Sequence, residues 1–232
     1  MTPPHHDLSA WRKPPAPGPM TLTGHYVRLE PLSPEHAAAL HAANAVDDTI
    51  WDYLGYGPFP DAAAYAAWVD GVAGRADPCF FAIFPAGRPA PLGVAALMRV
   101  DVDHGVVEVG NICLTPSLQR SRAATEAILL LAAWAFEAGY RRFEWKCDAG
   151  NAPSRRAAAR YGFAFEGVFR QHMIVKGRNR DTAWFAMIDR DWPELAAAHR
   201  RWLDPANFDA DGRQRERLGE LTAGARLGAE RR

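Results

Sequence analysis

The spacing of hydrophobic and polar residues changes period several times along the chain, and each change predicts an element. His25–Glu30 alternates apolar and polar positions and reads as a strand. Ser33-Pro34-Glu35-His36 supplies a capping residue and a proline for a first turn, so a helix is expected from there to about Ala45. Asp61 caps a second expected helix that runs to Val72. Cys79–Phe84, Leu92–Val100 and Val106–Leu114 are apolar runs bounded by proline and glycine, hence strands. A long apolar helix is expected over Thr125–Glu137, closed by Gly139. Phe143–Cys147 then reads as a strand and Pro153–Tyr161 as a helix ended by Gly162. Two strands, Phe163–Val175 and Ala183–Ile188, flank the turn residues Lys176-Gly177-Arg178-Asn179, and Trp192–Leu203 closes as a helix.

This order places the chain in the α/β class with a mixed sheet, an antiparallel meander feeding a strand–helix–strand crossover. A crossover of that kind favours a ligand site where its first strand ends and its helix begins. Residues 1–19 are proline-rich and aperiodic, and read as a mobile arm with Trp11 as its docking residue. Residues 20–204 are expected to form a single domain. Residues 205–232 are a charged tail with sparse leucines (Leu218, Leu221, Leu227), either a short amphipathic helix or frayed. Neither end is expected to carry chemistry.

Composition narrows the partners. Basic and acidic residues balance at 27 each, which argues against bulk attraction to nucleic acid or anionic membrane. The longest apolar run, Ala127–Phe136, is far shorter than the about 20 residues a bilayer requires. The first residues lack the apolar segment of a secretory signal, so a cytoplasmic protein, monomer or homodimer, is expected. Cys79, Cys113 and Cys147 form no C-x-x-C pair and are expected to be buried, reduced thiols. The histidines show no ligand spacing with them, so no metal is expected. Lysine appears only at Lys13, Lys146 and Lys176; arginine supplies the remaining basic charge.

The chemistry concentrates in Val106–Ala127, where a hydrophobic strand ends at Pro116 and a long helix follows. A helix N-terminus offers unpaired N–H groups and partial positive charge, a ready seat for phosphate, and Arg120 and Arg122 add full charge there. Gln119-x-x-Arg122-x-Ala124, followed by Thr125-Glu126-Ala127, resembles the acyl-CoA motif of the GCN5-related N-acetyltransferases (GNAT), whose familiar form is Arg/Gln-x-x-Gly-x-Gly/Ala. Asn151-Ala152-Pro153-Ser154 and Tyr161-Gly162-Phe163-Ala164-Phe165-Glu166-Gly167 resemble the N-x-x-S … G-F-x-x-E-G signature of the RimJ/RimL-like branch, which acetylates ribosomal-protein N-termini. The segments Arg28–His36 and Lys176–Thr182 also fit that branch, and the resemblance spans roughly residues 22–192.

The resemblance implies the GNAT fold: a mixed, mostly antiparallel seven-stranded sheet flanked by helices, with a central splayed parallel pair at Val106–Leu114 and Phe143–Cys147. It further implies acetyl-CoA as co-substrate and direct transfer of acetyl to a primary amine. Backbone groups of Ile112, Cys113 and Leu114 would pair with the pantetheine and polarise the thioester carbonyl. The amides of Gln119, Arg120, Ser121, Arg122, Ala123 and Ala124, with Thr125 behind them, would hold the pyrophosphate. Asn151 would bond the pantetheine arm or serve as a plain N-cap. One departure stands out: Arg122 replaces the first motif glycine, whose absence of a side chain lets the backbone approach the pyrophosphate.

Direct transfer moves two protons. Glu108 is the base candidate. Its neighbours Val107 and Val109 suggest a desolvated carboxylate with a raised pKa, and the other reading is an outward-facing surface glutamate. Ser154 and Tyr161 are the candidates to serve the leaving thiolate, with Ser154 alternatively only capping its helix. Trp51, Tyr53, Tyr56 and Phe59 crowd the loop where the family places acceptor specificity, either as core or as a binding cage. Glu144, Trp145, Arg170 and His172 are expected to face the same cleft, His172 as a second base candidate. Lys176, Arg178 and Arg180 would favour an acceptor carrying a carboxylate or phosphate. The competing function is a GNAT-fold CoA-binding module with lost or weak turnover, a sensor or partner, for which Arg122 is the argument.

Overall fold

Neighbouring strands run antiparallel everywhere in the sheet except at one pair, and that exception organises the molecule. The computed structural model describes residues 7–229. Its strands are β1 (Leu22–Thr23), β2 (Val27–Pro31), β3 (Cys79–Pro85), β4 (Gly93–Asp101), β5 (Val106–Leu114), β6 (Arg142–Asp148), β7 (Ala164–Val175) and β8 (Arg178–Ile188). They lie in the order β1-β2-β3-β4-β5-β6-β8-β7, with β5 and β6 parallel. The sheet thus has 8 strands where seven are expected. The additional one, β1, is too short to show a hydrophobic period, and it pairs Leu22 with Leu29 of β2.

Helices cover both faces. On one side α3 (Arg122–Glu137), α4 (Ala152–Tyr161) and α5 (Trp192–Leu203) bury Leu131, Ala158 and Trp202 in one core with Val107, Val109, Phe143 and Cys147 of the central strands. On the other, α1 (Ala37–Asn44) and α2 (Ala62–Val72) set Leu40, Tyr65 and Val69 against Phe80, Ala82 and Val94. Helix α3 starts at Arg122, earlier than the expected Thr125, because the Ser121 hydroxyl accepts from Ala124 N at 3.0 Å and caps it. The last hairpin turns on Lys176 and Gly177 alone, at φ +48° and +73°, so β8 begins at Arg178 rather than Ala183.

Both ends join the domain. Trp11 Nε1 donates to Gly139 O at 3.1 Å and the Tyr140 hydroxyl to Pro15 O at 2.9 Å, so the proline-rich segment is laid against the domain rather than free. Of the C-terminal segment, α6 (Leu218–Ala229) buries Leu218, and Thr222 Oγ1 donates to Arg160 O at 3.2 Å. Residues 1–6 and 230–232, and the Leu227 side chain, lie outside the described residues. Among the described residues no helix is long and apolar enough to cross a membrane. All three cysteines are buried and free.

Candidate active site

Strands β5 and β6 pair over only three rungs: Val106 with Arg142, Val107 with Phe143, and Glu108 with Glu144. Beyond Glu108/Glu144 both strands continue, to Leu114 and Asp148, without pairing. The cause is a β-bulge just past that rung. Gly110 faces Ala96 and Cys113 faces Val94, so Asn111 and Ile112 together oppose Ala95. Asn111 adopts φ +50°, the left-handed conformation asparagine tolerates better than most residues, and the bulge bends β5 away from its neighbour. The result is a slot flanked by backbone groups of Ile112–Leu114 on one side and of Trp145–Asp148 on the other. Asn111 was not singled out from the sequence, although a Gly-Asn pair inside an apolar strand is the signal of such a bulge.

The slot leads to the start of α3. Among the amides expected to hold pyrophosphate, that of Gln119 already donates to Thr115 O (3.0 Å) and that of Ser121 to Leu118 O (3.3 Å), while Ala124 N is taken by the cap. Among the described residues those of Arg120, Arg122 and Ala123 have no acceptor. The Gln119 side chain folds back, Nε2 donating to Leu114 O at 3.1 Å, which occupies that carbonyl. Thr125 is buried and its hydroxyl donates to Ser121 O at 3.1 Å, so it serves the helix turn. Arg122 places its guanidinium between the rings of Tyr26 (4.7 Å) and Phe208 (4.6 Å), and its own N–H at the helix start has no acceptor among the described residues. Glu126 anchors this end of α3, accepting from the backbone N–H groups of His25 and Tyr26 at 2.9 and 2.6 Å. Gly24 makes that approach possible, since a Cβ there would lie 2.3 Å from the Glu126 carboxyl carbon. The free amides, the positive helix end and the open slot together fit a pantetheine pyrophosphate.

A family model, the acetyltransferase (GNAT) domain, matches residues 27–164 of the chain. The chain belongs to the GNAT acetyltransferase family. It is 45% identical to a GCN5-related N-acetyltransferase from Brucella melitensis, with 92% of this chain and 98% of that chain covered and a TM-score of 0.89. A GNAT-family structure from Chromobacterium violaceum ATCC 12472 is 40% identical over 83% of this chain and 98% of that one, with a TM-score of 0.78. The Microcin C7 self immunity acetyltransferase MccE, solved with acetyl-CoA and AMP, shares the fold at 19% identity and a TM-score of 0.64, covering 71% of this chain and 93% of that one. No match to a curated protein was found.

In this GNAT domain Glu108 stands at the apex of the slot, 3% exposed. Its surroundings are not the apolar ones expected from Val107 and Val109, because successive strand side chains point to opposite faces. Those valines enter the α3–α5 core, while Glu108 meets Arg99 Nη1 at 2.9 Å and Lys146 Nζ at 3.0 Å. Lys146 also reaches Glu144 at 2.6 Å and lies 3.9 Å over the Trp184 ring. Arg142 extends the row, bonding Glu144 at 2.6 Å and Glu166 in a two-pronged pair. The partners of Glu108 come from β4 and β6, so no local pattern in the sequence could have announced them.

Helix α4 begins at the free end of β6. Asn151 caps it, Oδ1 accepting from Ser154 N at 3.0 Å. Ser154 is therefore a capped residue rather than the cap, and its Oγ accepts from Trp145 Nε1 at 3.0 Å. Tyr161 sits at the opposite end of α4, buried, its ring beside Trp145 and His199 and its hydroxyl against Thr125. Burial pushes that phenol upward.

On the far side of the slot the expected acceptor residues separate into two groups. Trp51 is 3% exposed within an aromatic cluster with Tyr56, Phe59 and Tyr65, and so belongs to the α1–α2 core. Tyr56 stacks on Trp68 at 4.6 Å and its hydroxyl reaches the carbonyl of bulged Asn111 at 3.5 Å, where burial holds it far above the usual phenol range. Arg178 and Arg180, in contrast, line an open pocket of about 340 Å³ with Asp52, Tyr53, Asp148 and Lys176. Lys176 closes one edge by donating to Trp51 O at 2.8 Å. Asp52 and Asp148 make this pocket less cationic than the hairpin sequence alone suggests. His172 bonds Thr182 Oγ1 at 2.9 Å and lies beside Trp184, on the same face as Lys146.

Proposed function

We propose that the protein transfers acetyl from acetyl-CoA directly to a primary amine, on a flexible peptide N-terminus or a small molecule that also carries a carboxylate or phosphate. The observation that carries this reading is the parting of β5 and β6 immediately beyond Glu108/Glu144, beside a helix start with free amides. Pyrophosphate is assigned to the N–H groups of Arg120, Arg122 and Ala123, and the pantetheine to the slot edge at Ile112–Leu114 and Asn151. Acetyl-CoA supplies an activated carbonyl; the chain supplies position and proton management. Glu108, fixed at the apex by Arg99 and Lys146, accepts the proton of the incoming amine, directly or through one water. Ser154, at the start of α4, donates a hydrogen bond to the departing sulfur, which finally carries the proton shed by the amine; Tyr161 is too enclosed by Thr125 and His199 to be assigned that role. Arg178 and Arg180 receive the acceptor's anion. The N-x-x-S and G-F-x-x-E-G blocks support a RimJ/RimL-like acceptor, and the complex of MccE with acetyl-CoA supports the co-substrate. The Arg122 guanidinium, seated between Tyr26 and Phe208, supports retained cofactor binding, and the presence of Glu108, Asn151 and Ser154 supports turnover over a cofactor-binding module without it.

Free-thiol release from acetyl-CoA over a panel of amines and N-terminal peptides tests the reading. Turnover is expected with at least one anionic acceptor, and Glu108→Gln should lower it most severely at low pH, where the amine is protonated. Replacing Arg178 and Arg180 by Ala should raise KM for such acceptors and leave that for acetyl-CoA unchanged. Binding of acetyl-CoA with no release over the whole panel would instead establish a cofactor-binding module.

A further inference from the structure

We propose that Trp145 is a positioning residue for Ser154: its indole N–H fixes the serine oxygen so that the hydroxyl hydrogen is directed at sulfur. This inference rests on the reading of Ser154 as donor to the leaving thiolate. Trp145 lies on β6 just past the last rung shared with β5, with its side chain on the α4 face. It is 6% exposed, and its ring is held by Tyr161 at 5.9 Å and edge-on by Phe163 at 5.6 Å, which leaves the indole one orientation. In that orientation Nε1 donates to Ser154 Oγ at 3.0 Å.

A serine hydroxyl has one hydrogen to give and two lone pairs to receive. The Ser154 backbone is fixed by Asn151, whose side chain accepts from its N–H, and one lone pair is filled by Trp145. What remains are the hydrogen, available to sulfur, and the second lone pair. Donation into Oγ also polarises the O–H bond, and chained hydrogen bonds strengthen one another by about 10–30 %.

In the transfer, nitrogen bonds to the carbonyl carbon and the carbon–sulfur bond breaks with its electron pair on sulfur. The proton that nitrogen sheds is the one sulfur finally carries, so amine and thioester give amide and thiol. Ser154 shelters the negative sulfur in the interval, and Trp145 transfers nothing. A merely structural Trp145 would need any acceptor for its buried N–H and would leave the chemical step untouched.

Trp145→Phe keeps an aromatic ring in the core and deletes the N–H. Single-turnover rates should fall about tenfold, equivalent to about 1.4 kcal/mol, with KM for acetyl-CoA and for the amine unchanged. In a Ser154→Ala background the same substitution should cost nothing further, because the residue it acts through is gone. Ser154→Thr, which keeps the hydroxyl, should remain sensitive to the loss of the indole N–H. If Trp145→Phe disturbs folding, site-specific 3-benzothienylalanine at 145, which replaces the N–H by sulfur in the same shape, makes the comparison. A slow Ser154→Ala enzyme with a fully active Trp145→Phe enzyme would overturn the positioning role alone. Independent, additive losses would overturn it as well. A fully active Ser154→Ala enzyme would overturn the assignment of Ser154 and this inference together.

Discussion

Strand β6 builds its two faces in two different ways. Toward α3 and α4 it presents Phe143, Trp145 and Cys147, all buried in a continuous apolar core. Each large side chain there contributes about 1.5–3 kcal/mol by leaving water, largely independently of its neighbours. On the other face Arg142, Glu144 and Lys146 are joined with Arg99, Glu108 and Glu166 into one row of ion pairs. Charges taken out of water cost several kcal/mol each, and their mutual attraction does little more than offset that. The first face holds the strand in place whatever the second contains. The second works only as a whole, and it is the one that sets a carboxylate at the apex of the slot.

The sharpest way to break this contrast is Lys146→Met. Its side chain is 5% exposed, and its ammonium is the bridge between Glu108 and Glu144, which are directly opposed on the last shared rung. Removing it leaves two neighbouring carboxylates in the interior, each with a single arginine. Breaking a buried pair costs about 3–5 kcal/mol, and the remaining arginines place the expected loss near 3 kcal/mol in urea unfolding. Adding Glu144→Gln should recover much of it, because the repulsion disappears with the second charge. A loss below 1 kcal/mol would mean that the arginines alone sustain the apex.

The same contrast explains what was legible in the sequence. The alternation Arg142-Phe143-Glu144-Trp145-Lys146-Cys147-Asp148 announces a two-faced strand, and the Gln119–Ala124 and Asn151–Gly167 blocks locate the cofactor side. Those signals are local. The ion pairs join residues brought side by side only by strand register, so Glu108 read as a carboxylate in apolar surroundings. Trp51 read as a candidate acceptor contact for the same reason, since only the packing of α2 over it shows that it is core. The Asn111 bulge had only a Gly-Asn pair as its signal, β1 is too short to show a period, and the docked ends depend on partners distant in sequence.

The apolar side has one weak point of its own, His199. Its Nε2 lies 2.8 Å from Tyr161 O, and burial, against that hydrogen bond and with Arg160 nearby, lowers its pKa from 6.5 to about 4. A histidine kept neutral by the fold stabilises fully above the unfolded value of 6.5, and this is lost progressively as pH falls toward 4. The contribution is about 3 kcal/mol. His199→Gln should flatten the pH dependence of unfolding free energy between pH 7 and 4 by about that amount, measured against the parent chain. Equal slopes in the two proteins would show that His199 titrates normally.

The smallest expected effect lies where both faces end, at the start of α3. Arg122 occupies the motif glycine position, and its guanidinium is enclosed by Tyr26 and Phe208 rather than laid across the free amides. Two half-exposed cation–π contacts stabilise by about 0.5–1 kcal/mol each, so Arg122→Ala should cost about 1 kcal/mol in unfolding free energy. Its effect on acetyl-CoA should be slight, because the N–H at position 122 is retained and only a distant positive charge is removed: KM rises no more than about threefold, or about 0.7 kcal/mol, while the amine KM is unmoved. A fall in KM for acetyl-CoA would reverse the reading, since it would mean that the guanidinium leaves its aromatic seat and obstructs the amides. An unchanged unfolding free energy would show that the two rings do not hold it, and the accessibility of the cradle would then depend on the Ser121 cap alone.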